Sequence, residues 1–179
     1  MFVSLQQLES KPVRFKVDLP PGDIDFDIKI KQASVLHAEG TAQLLNESLG
    51  EIRMVGDISV AVEGVCDRCL EAANYAIENH FDLVYLPAAE ANAAGEEEID
   101  EAGVEVGYYE GNGLELKDVL REVVLLALPM QLVCSEDCKG ICPSCGQNRN
   151  ESDCGCQLKV ADDRWSKLKM LRAEISPNS

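Results

Sequence analysis

The chain has 179 residues, of which 46% are hydrophobic and 27% are charged, and it carries a formal net charge of −16. This length and apolar content suffice for one good hydrophobic core with a small appendage, and they exclude a disordered protein. Because the acidic charge repels a phosphate backbone, it argues against free nucleic acid as a partner of most of the surface and favours a basic protein.

Polar and apolar residues alternate along most of the first 110 residues, as they do in half-buried strands. Val13 to Leu19 alternates and stops at Pro20-Pro21-Gly22, and the alternation resumes from Ile24 to Lys31. Consecutive strands at short spacing favour antiparallel pairing. We therefore predict an α+β fold with an antiparallel β meander or small barrel, whose strands lie near 12–19, 23–31, 34–46, 51–65, 73–86 and 104–109.

Residues 88–101 are mostly small or acidic and include few apolar side chains. This composition is typical of a solvated loop, and we interpret the segment as a charged linker. The alternative is a flexible acidic arm that clasps a basic partner through Glu96, Glu97, Glu98, Asp100 and Glu101.

Two helices are predicted after the strands. The first covers residues 115–128, ends before Pro129 and is expected to cover one face of the sheet. The second, short and amphipathic, covers residues 162–172, where we expect Trp165 to pack against the body rather than stack on a base. The predicted domains are a β domain over residues 1–130 and a Cys-rich lobe over residues 131–179. The apolar stripe of the first helix comprises Leu116, Val119, Leu120, Val123, Leu126 and Ala127.

The eight cysteines fall into closely spaced pairs. Six lie between residues 134 and 156, and two form Cys66-Asp-Arg-Cys69. Two cysteines separated by two residues can place both sulfurs on one Zn²⁺, which takes four thiolates at about 2.3 Å. The first residues lack the basic and apolar regions of a secretion signal, so we expect a cytoplasmic protein whose thiols stay reduced. The pattern therefore predicts metal binding rather than disulfides.

Eight thiolates are enough for two tetrahedral zinc sites, one local and one long-range. The cysteines from residue 142 onward are close in sequence and bounded by turn-forming residues, so the loop between their pairs closes cheaply. Cys134 and Cys138 then remain for the N-terminal pair, although they can equally supply ligands to the local cluster. We predict two zinc ions, one held by Cys142, Cys145, Cys154 and Cys156 and the other by Cys66, Cys69, Cys134 and Cys138.

The sequence lacks the residue patterns that are typical of catalytic sites. A catalytic zinc keeps one position open and often uses histidine, whereas His37 and His80 lie in predicted strands without metal-ligand spacing, and we interpret them as solvated or core residues. No Ser-His-Asp order, phosphate-binding loop or zinc-protease motif occurs. The longest apolar run, residues 123–130, is far shorter than the roughly 20 residues that span a bilayer. We expect no enzymatic activity, no small-molecule substrate and no membrane role.

Short motifs follow one another in a specific linear order: Gly64-Val-Cys66-Asp-Arg-Cys69, Leu126-Ala-Leu-Pro129, Cys134-x₃-Cys138-Lys-Gly-Ile-Cys142-Pro-Ser-Cys145-Gly, Cys154-Gly-Cys156 and Asp163-Arg-Trp165. They resemble the motifs of the bacterial and plastid YceD family, the large ribosomal RNA subunit accumulation proteins. The resemblance implies a ribosome-biogenesis factor without known enzymatic activity, which supports accumulation of the large-subunit (23S) ribosomal RNA. It also implies a gene neighbour that encodes a small basic large-subunit ribosomal protein.

The charge of the chain bears on which ribosomal component it contacts. Affinity for RNA comes mainly from Lys and Arg that displace counterions, so we expect contact with a basic large-subunit ribosomal protein. Residues 139–179 are an exception, since seven basic residues there outnumber five acidic ones. One alternative is therefore a zinc-dependent RNA-binding module, and another is a thiol redox or metal-handling protein. The candidate nucleic-acid-binding residues are Lys139, Arg149, Lys167, Lys169 and Arg172.

Overall fold

The computed structural model describes residues 1–26, 30–45, 50–88 and 105–156. The chain divides into two compact units. The first, which we call the sheet unit, comprises Met1–Asp67 and Glu71–Glu136, and the second, the cysteine unit, comprises Arg68–Leu70 and Asp137–Ser179. The predicted helix at 162–172 and residues 89–101 of the predicted acidic loop lie outside the described residues.

The described part of the sheet unit consists mostly of strands, with two helices. Its larger sheet has the strand order β2-β4-β5-β6-β7, with β3 paired to β5, and β1 pairs with β8 in a separate two-stranded sheet. The elements are β1 Phe2–Ser4, α1 Leu5–Ser10, β2 Val13–Leu19, β3 Lys31–Gln32, β4 Leu36–Leu44, β5 Ile52–Val65, β6 Ala72–Pro87, β7 Glu105–Tyr109, β8 Gly113–Glu115 and α2 Leu116–Ala127.

Five of the six predicted strands are present at nearly the predicted bounds, and β2, β4, β5 and β6 pair antiparallel. Among the described strands the larger sheet is open, with β2 and β7 at its ends, so the meander and not the small barrel is seen. The prediction was wrong about β7, which pairs with β6 in parallel. Residues 88–104 join these strands, and a parallel pair needs a connection of a dozen or more residues, not a tight turn.

The strand predicted at 23–31 was also wrong for most of its length. Residues 23–26 form bends and irregular chain, residues 27–29 lie outside the described part, and pairing begins only at Lys31. Ile24 and Phe26 are nevertheless buried, and the backbone carbonyl of Asp25 accepts a hydrogen bond from Arg121 Nε at 2.7 Å. At Ile24 and Phe26 the alternation therefore reports burial in the core, without pairing to another strand.

The core combines residues from the buried, inner face of the larger sheet with residues of α2. The helix contributes Leu116, Val119, Leu120, Val123 and Val124. Leu126 was placed on the wrong face, because it is 58% exposed and Val124 is fully buried. Positions 116, 120 and 124 follow the four-residue spacing of one helix face.

Two glycines occupy the middle of the inner face. Phe15, Gly40, Gly56 and Phe81 are consecutive partners across β2, β4, β5 and β6. A Cβ at Gly40 would lie 2.7 Å from the Phe15 ring, and a Cβ at Gly56 would lie 2.9 Å from the Phe81 ring. The two rings therefore lie over the backbone of the central strands, where only glycine leaves room for them.

The first ten residues form elements that the sequence analysis did not predict. Ser4 Oγ accepts a hydrogen bond from Gln7 N, and Gln7 Oε1 accepts one from Ser4 N, each at 3.3 Å. This capping box starts α1.

No helix in the described part of the chain is long and apolar enough to cross a membrane.

Candidate metal centres

The cysteine unit brings Cys142, Cys145, Cys154 and Cys156 together, with all four sulfurs within 4.8 Å of one another. The first pair lies on a tight turn closed by a hydrogen bond from Gly146 N to the Cys142 carbonyl at 2.8 Å. Gly146 has a φ of +76°, which a side chain at this position would disfavour. Short turns of this kind point two sulfurs toward one centre.

The four thiols influence one another strongly. Backbone N–H groups of Cys145 and Ser144, with a further contribution from the side chain of Cys154, lower the pKa of Cys142 to about 6. Hydrogen bonds with the side chains of Cys145 and Cys154 raise the pKa of Cys156 to about 12. Cys142 is therefore a thiolate near neutral pH, while Cys156 keeps its proton until a cation offsets the negative charge beside it.

The remaining four cysteines, Cys66, Cys69, Cys134 and Cys138, form a second group whose sulfurs also lie within 4.8 Å of one another. All except Cys134 are buried. In the sheet unit, Asp67 fixes the segment before Cys134, because its N–H donates to the Leu132 carbonyl at 2.8 Å and its Oδ2 accepts from Leu132 N at 2.7 Å.

Asn150 organises the corresponding part of the cysteine unit. Its Nδ2 lies 3.4 Å from Cys138 Sγ, and its Oδ1 accepts a hydrogen bond from Lys139 N at 2.8 Å. The Arg68 carbonyl accepts from Ile141 N at 2.9 Å, and a Cβ at Gly140 would lie 2.8 Å from that carbonyl oxygen. The sequence analysis missed the roles of Asp67 and Asn150, although Asp67 lies within a cysteine motif and Asn150 lies between two of them.

Both groups have the donor set and the spacing of a tetrahedral thiolate site. Four sulfurs at about 2.3 Å from one ion are separated from each other by about 3.8 Å, which the observed arrangement accommodates. The two groups contain the same cysteines as the two sets named in the sequence analysis. Each can hold a metal ion such as Zn²⁺, and the identity of the metal stays a prediction.

The other candidate residues do not form a described site. Lys139 and Arg149 are exposed in the cysteine unit, whereas Lys167, Lys169 and Arg172 lie outside the described residues. His37 and His80 are exposed on the sheet, with their Nδ1 atoms 2.6 Å from Asp18 Oδ1 and 2.9 Å from Asp57 Oδ1, respectively.

Comparison with known proteins places this arrangement in a family. The family model described as Large ribosomal RNA subunit accumulation protein YceD matches residues 54–172, which include all eight cysteines. The chain belongs to the YceD family. Proteins of Mycobacterium tuberculosis and Mycobacterium bovis, both described only as uncharacterized, are 28% identical to it over 82% of this chain and 67% of their own length.

A chloroplast relative carries the family description in its name. The Arabidopsis thaliana protein named Large ribosomal RNA subunit accumulation protein YCED homolog 1 is 23% identical over 70% of this chain and 46% of its own length. No solved structure matches the chain.

Proposed function

We propose that this YceD-family chain supports the accumulation of large-subunit ribosomal RNA, and that it does so by contacting a basic large-subunit ribosomal protein. Family membership over residues 54–172 is the observation that carries the proposal. The name of the chloroplast relative agrees with it. The proposal assigns no catalytic step to the chain and places it in the cytoplasm, where thiols stay reduced.

The exposed face of the larger sheet supports a basic partner over RNA. A depression of about 680 Å³ on this face is lined by four carboxylates, one lysine and two histidines. The lysine, Lys16, is itself paired with Glu39 at 2.9 Å. A phosphate backbone meets repulsion on such a surface, whereas cationic side chains are attracted to it. The carboxylates are those of Asp18, Glu39, Asp57 and Glu78.

We also propose that each group of four cysteines binds one structural Zn²⁺. The support is the complete set of four thiol donors in each group, which leaves no coordination position for a substrate. Zinc bound there would fix the turns that carry the cysteines, since metal binding and folding are coupled at such sites.

The partner can be tested by titrating the full chain with total basic large-subunit ribosomal proteins and, separately, with a large-subunit ribosomal RNA fragment. We expect tight, salt-sensitive binding to the proteins and weak binding to the RNA. Tight binding to the RNA alone would contradict the proposed partner and favour an RNA-binding role that includes Lys139 and Arg149. Depletion of the chain in cells should lower the ratio of large-subunit to small-subunit ribosomal RNA, and an unchanged ratio would contradict the function itself.

A further inference from the structure

A second, smaller pocket of about 320 Å³ lies in the sheet unit, among β1, β8, the end of β7 and the first turns of α2. Two aromatic side chains stand at its opening, since Phe2 is 51% exposed and Tyr108 is 56% exposed. Leu114 and Val119 line its interior. These two exposed rings lie beside a cavity, so their flat faces are available to contact a ligand that enters it.

Two further tyrosines are held in fixed positions beside these rings. The ring of Tyr85 lies across Gly107, where a Cβ would come within 2.6 Å of it. Its hydroxyl donates a hydrogen bond to Glu122 Oε2 at 2.7 Å. Tyr109 donates to the Gly50 carbonyl at 2.6 Å. The aromatic part of the pocket is therefore formed before a ligand arrives, which reduces the entropy lost on binding.

Carboxylates surround the rings. Glu110, Glu115, Asp118 and Glu122 all line the pocket, and none of the basic side chains in the described part of the chain lines it. Glu115 already accepts a cation, the Met1 ammonium, at 2.6 Å. Among the described residues, Glu110 and Asp118 form no ion pair, and the neighbouring Lys117 is turned toward Asp23 at 3.5 Å. The pocket therefore keeps negative charge that is not offset locally.

We propose that this pocket binds an arginine side chain of a basic protein. A guanidinium group stacks on aromatic faces and donates paired hydrogen bonds to carboxylates, and it stays charged at every physiological pH. The volume is near the lower limit of ligand pockets, about 300 Å³, and so suits one side chain better than a larger molecule. This inference rests on the proposed function, because it names the part of the chain that contacts the basic partner.

The test uses the full-length chain and three short peptides, acetyl-Gly-Arg-Gly-amide and its lysine and citrulline counterparts, followed by NMR titration. We expect the arginine peptide to shift resonances of Tyr108 and its neighbours, the lysine peptide to bind more weakly, and the uncharged citrulline peptide not to bind. Tyr108→Ala and Asp118→Asn should each weaken arginine-peptide binding by about three- to tenfold.

Tyr75→Ala and Glu63→Gln are matched controls, because they remove an exposed tyrosine and an exposed carboxylate outside the pocket. Equal weakening by Glu63→Gln would show that only net charge matters, equal weakening by Tyr75→Ala would show that any exposed ring has the same effect, and either result would overturn the inference. Asp118→Asn keeps the inference testable if Tyr108→Ala is poorly folded, since Asp118 is exposed.

The same variants separate this inference from the proposed function. In one outcome the basic ribosomal proteins bind the chain, and neither Tyr108→Ala nor Asp118→Asn changes that affinity. This outcome would contradict the inference about the pocket and support the proposed partner. If the arginine peptide binds in the pocket while no basic ribosomal protein binds the chain, the pocket stands and the proposed partner is wrong.

Discussion

The thiols of the cysteine unit differ in their pKa values. Cys142 has a pKa of about 6 because backbone N–H groups stabilise its thiolate, and Cys156 has a pKa of about 12 because its neighbours favour its protonated form. The N–H groups come from the main chain, so they persist when side chains are exchanged. Binding of the proposed Zn²⁺ would favour the thiolate form of the four cysteines, because metal ligation requires deprotonated sulfur.

The zinc proposal predicts the effect of removing one ligand. Cys145→Ser should lower the zinc content from about two ions to about one per chain and loosen the cysteine unit, while the sheet unit stays folded. Inductively coupled plasma mass spectrometry measures the first effect, and amide hydrogen exchange measures the second. Ser144→Ala is the control, since it keeps the N–H that lies near Cys142. Two zinc ions in the Cys145→Ser protein would contradict the assigned ligand set.

A carboxylate in the sheet unit gives a prediction about pH. Asp82 accepts two hydrogen bonds from Arg53, at 2.8 and 2.6 Å, and these lower the pKa of Asp82 below its ordinary value of 3.8. Because the folded pKa is the lower one, the pair stabilises the fold above about pH 4, and this stabilisation is lost as the pH falls through the folded pKa.

Asp82→Asn should therefore lower the melting temperature by about 1–4 °C at pH 7, as expected for a partly exposed ion pair in a chain of this size. The difference from wild type should shrink as the pH is lowered from 4 toward 2.5. Glu63→Gln removes an exposed carboxylate that has no ion pair among the described residues, and it should show no such trend. A difference that is constant with pH would indicate that Arg53 is not the cause.

At the scale of elements, the periodicity of the sequence located the long strands and α2 because their side chains alternate between core and solvent. It could not locate β1, α1 or β8, since three to six residues are too few to show a period. The Ser4-x-x-Gln7 capping box was the available signal for α1. The sequence did not reveal that β7 runs parallel to β6, because the direction of a strand depends on the path of the long connection before it.

The cysteine groups and the aromatic pocket also differ in how far the sequence reveals them. Cysteine spacing is a local signal, and it indicated the group from Cys142 to Cys156 directly. The group of Cys66, Cys69, Cys134 and Cys138 was predicted only because those cysteines remained, since its two pairs lie far apart in sequence. The aromatic pocket combines Phe2, Tyr85, Tyr108 and Asp118, which lie on separate elements. No motif connects these residues in sequence, so only the fold brings them together.

The paired glycines of the larger sheet predict a cost of overpacking. A Cβ at Gly56 would lie 2.9 Å from Phe81 Cζ and 2.5 Å from the Glu39 carbonyl oxygen. Gly56→Ala should therefore destabilise the fold by about 1–3 kcal/mol, measured by urea unfolding. In a Phe81→Leu background, which lacks Cζ, the added cost of Gly56→Ala should be smaller but not zero. An undiminished cost would mean that the clash with the backbone accounts for the whole effect.

At the scale of the whole molecule, the net charge supports the proposed basic partner. A chain of charge −16 attracts a basic protein over long distances, and this attraction depends on salt. Between roughly 0.05 and 0.3 M salt the Debye length falls from about 14 to about 6 Å. The association rate with basic large-subunit ribosomal proteins should therefore fall over this range, while the dissociation rate changes less.

The attraction acts either through the charge of the whole chain or mainly through the acidic segment between β6 and β7. Replacing Glu96, Glu97, Glu98, Asp100 and Glu101 by neutral residues should slow association if the segment is an arm that contacts the partner. A second variant neutralises five other acids, Glu9, Glu47, Glu63, Glu71 and Glu151, and so has the same net charge. Stopped-flow association at several salt concentrations compares the two. Slower association of the first variant alone supports the arm, whereas equal slowing of both shows that the segment is a linker and that the field of the whole chain directs the encounter.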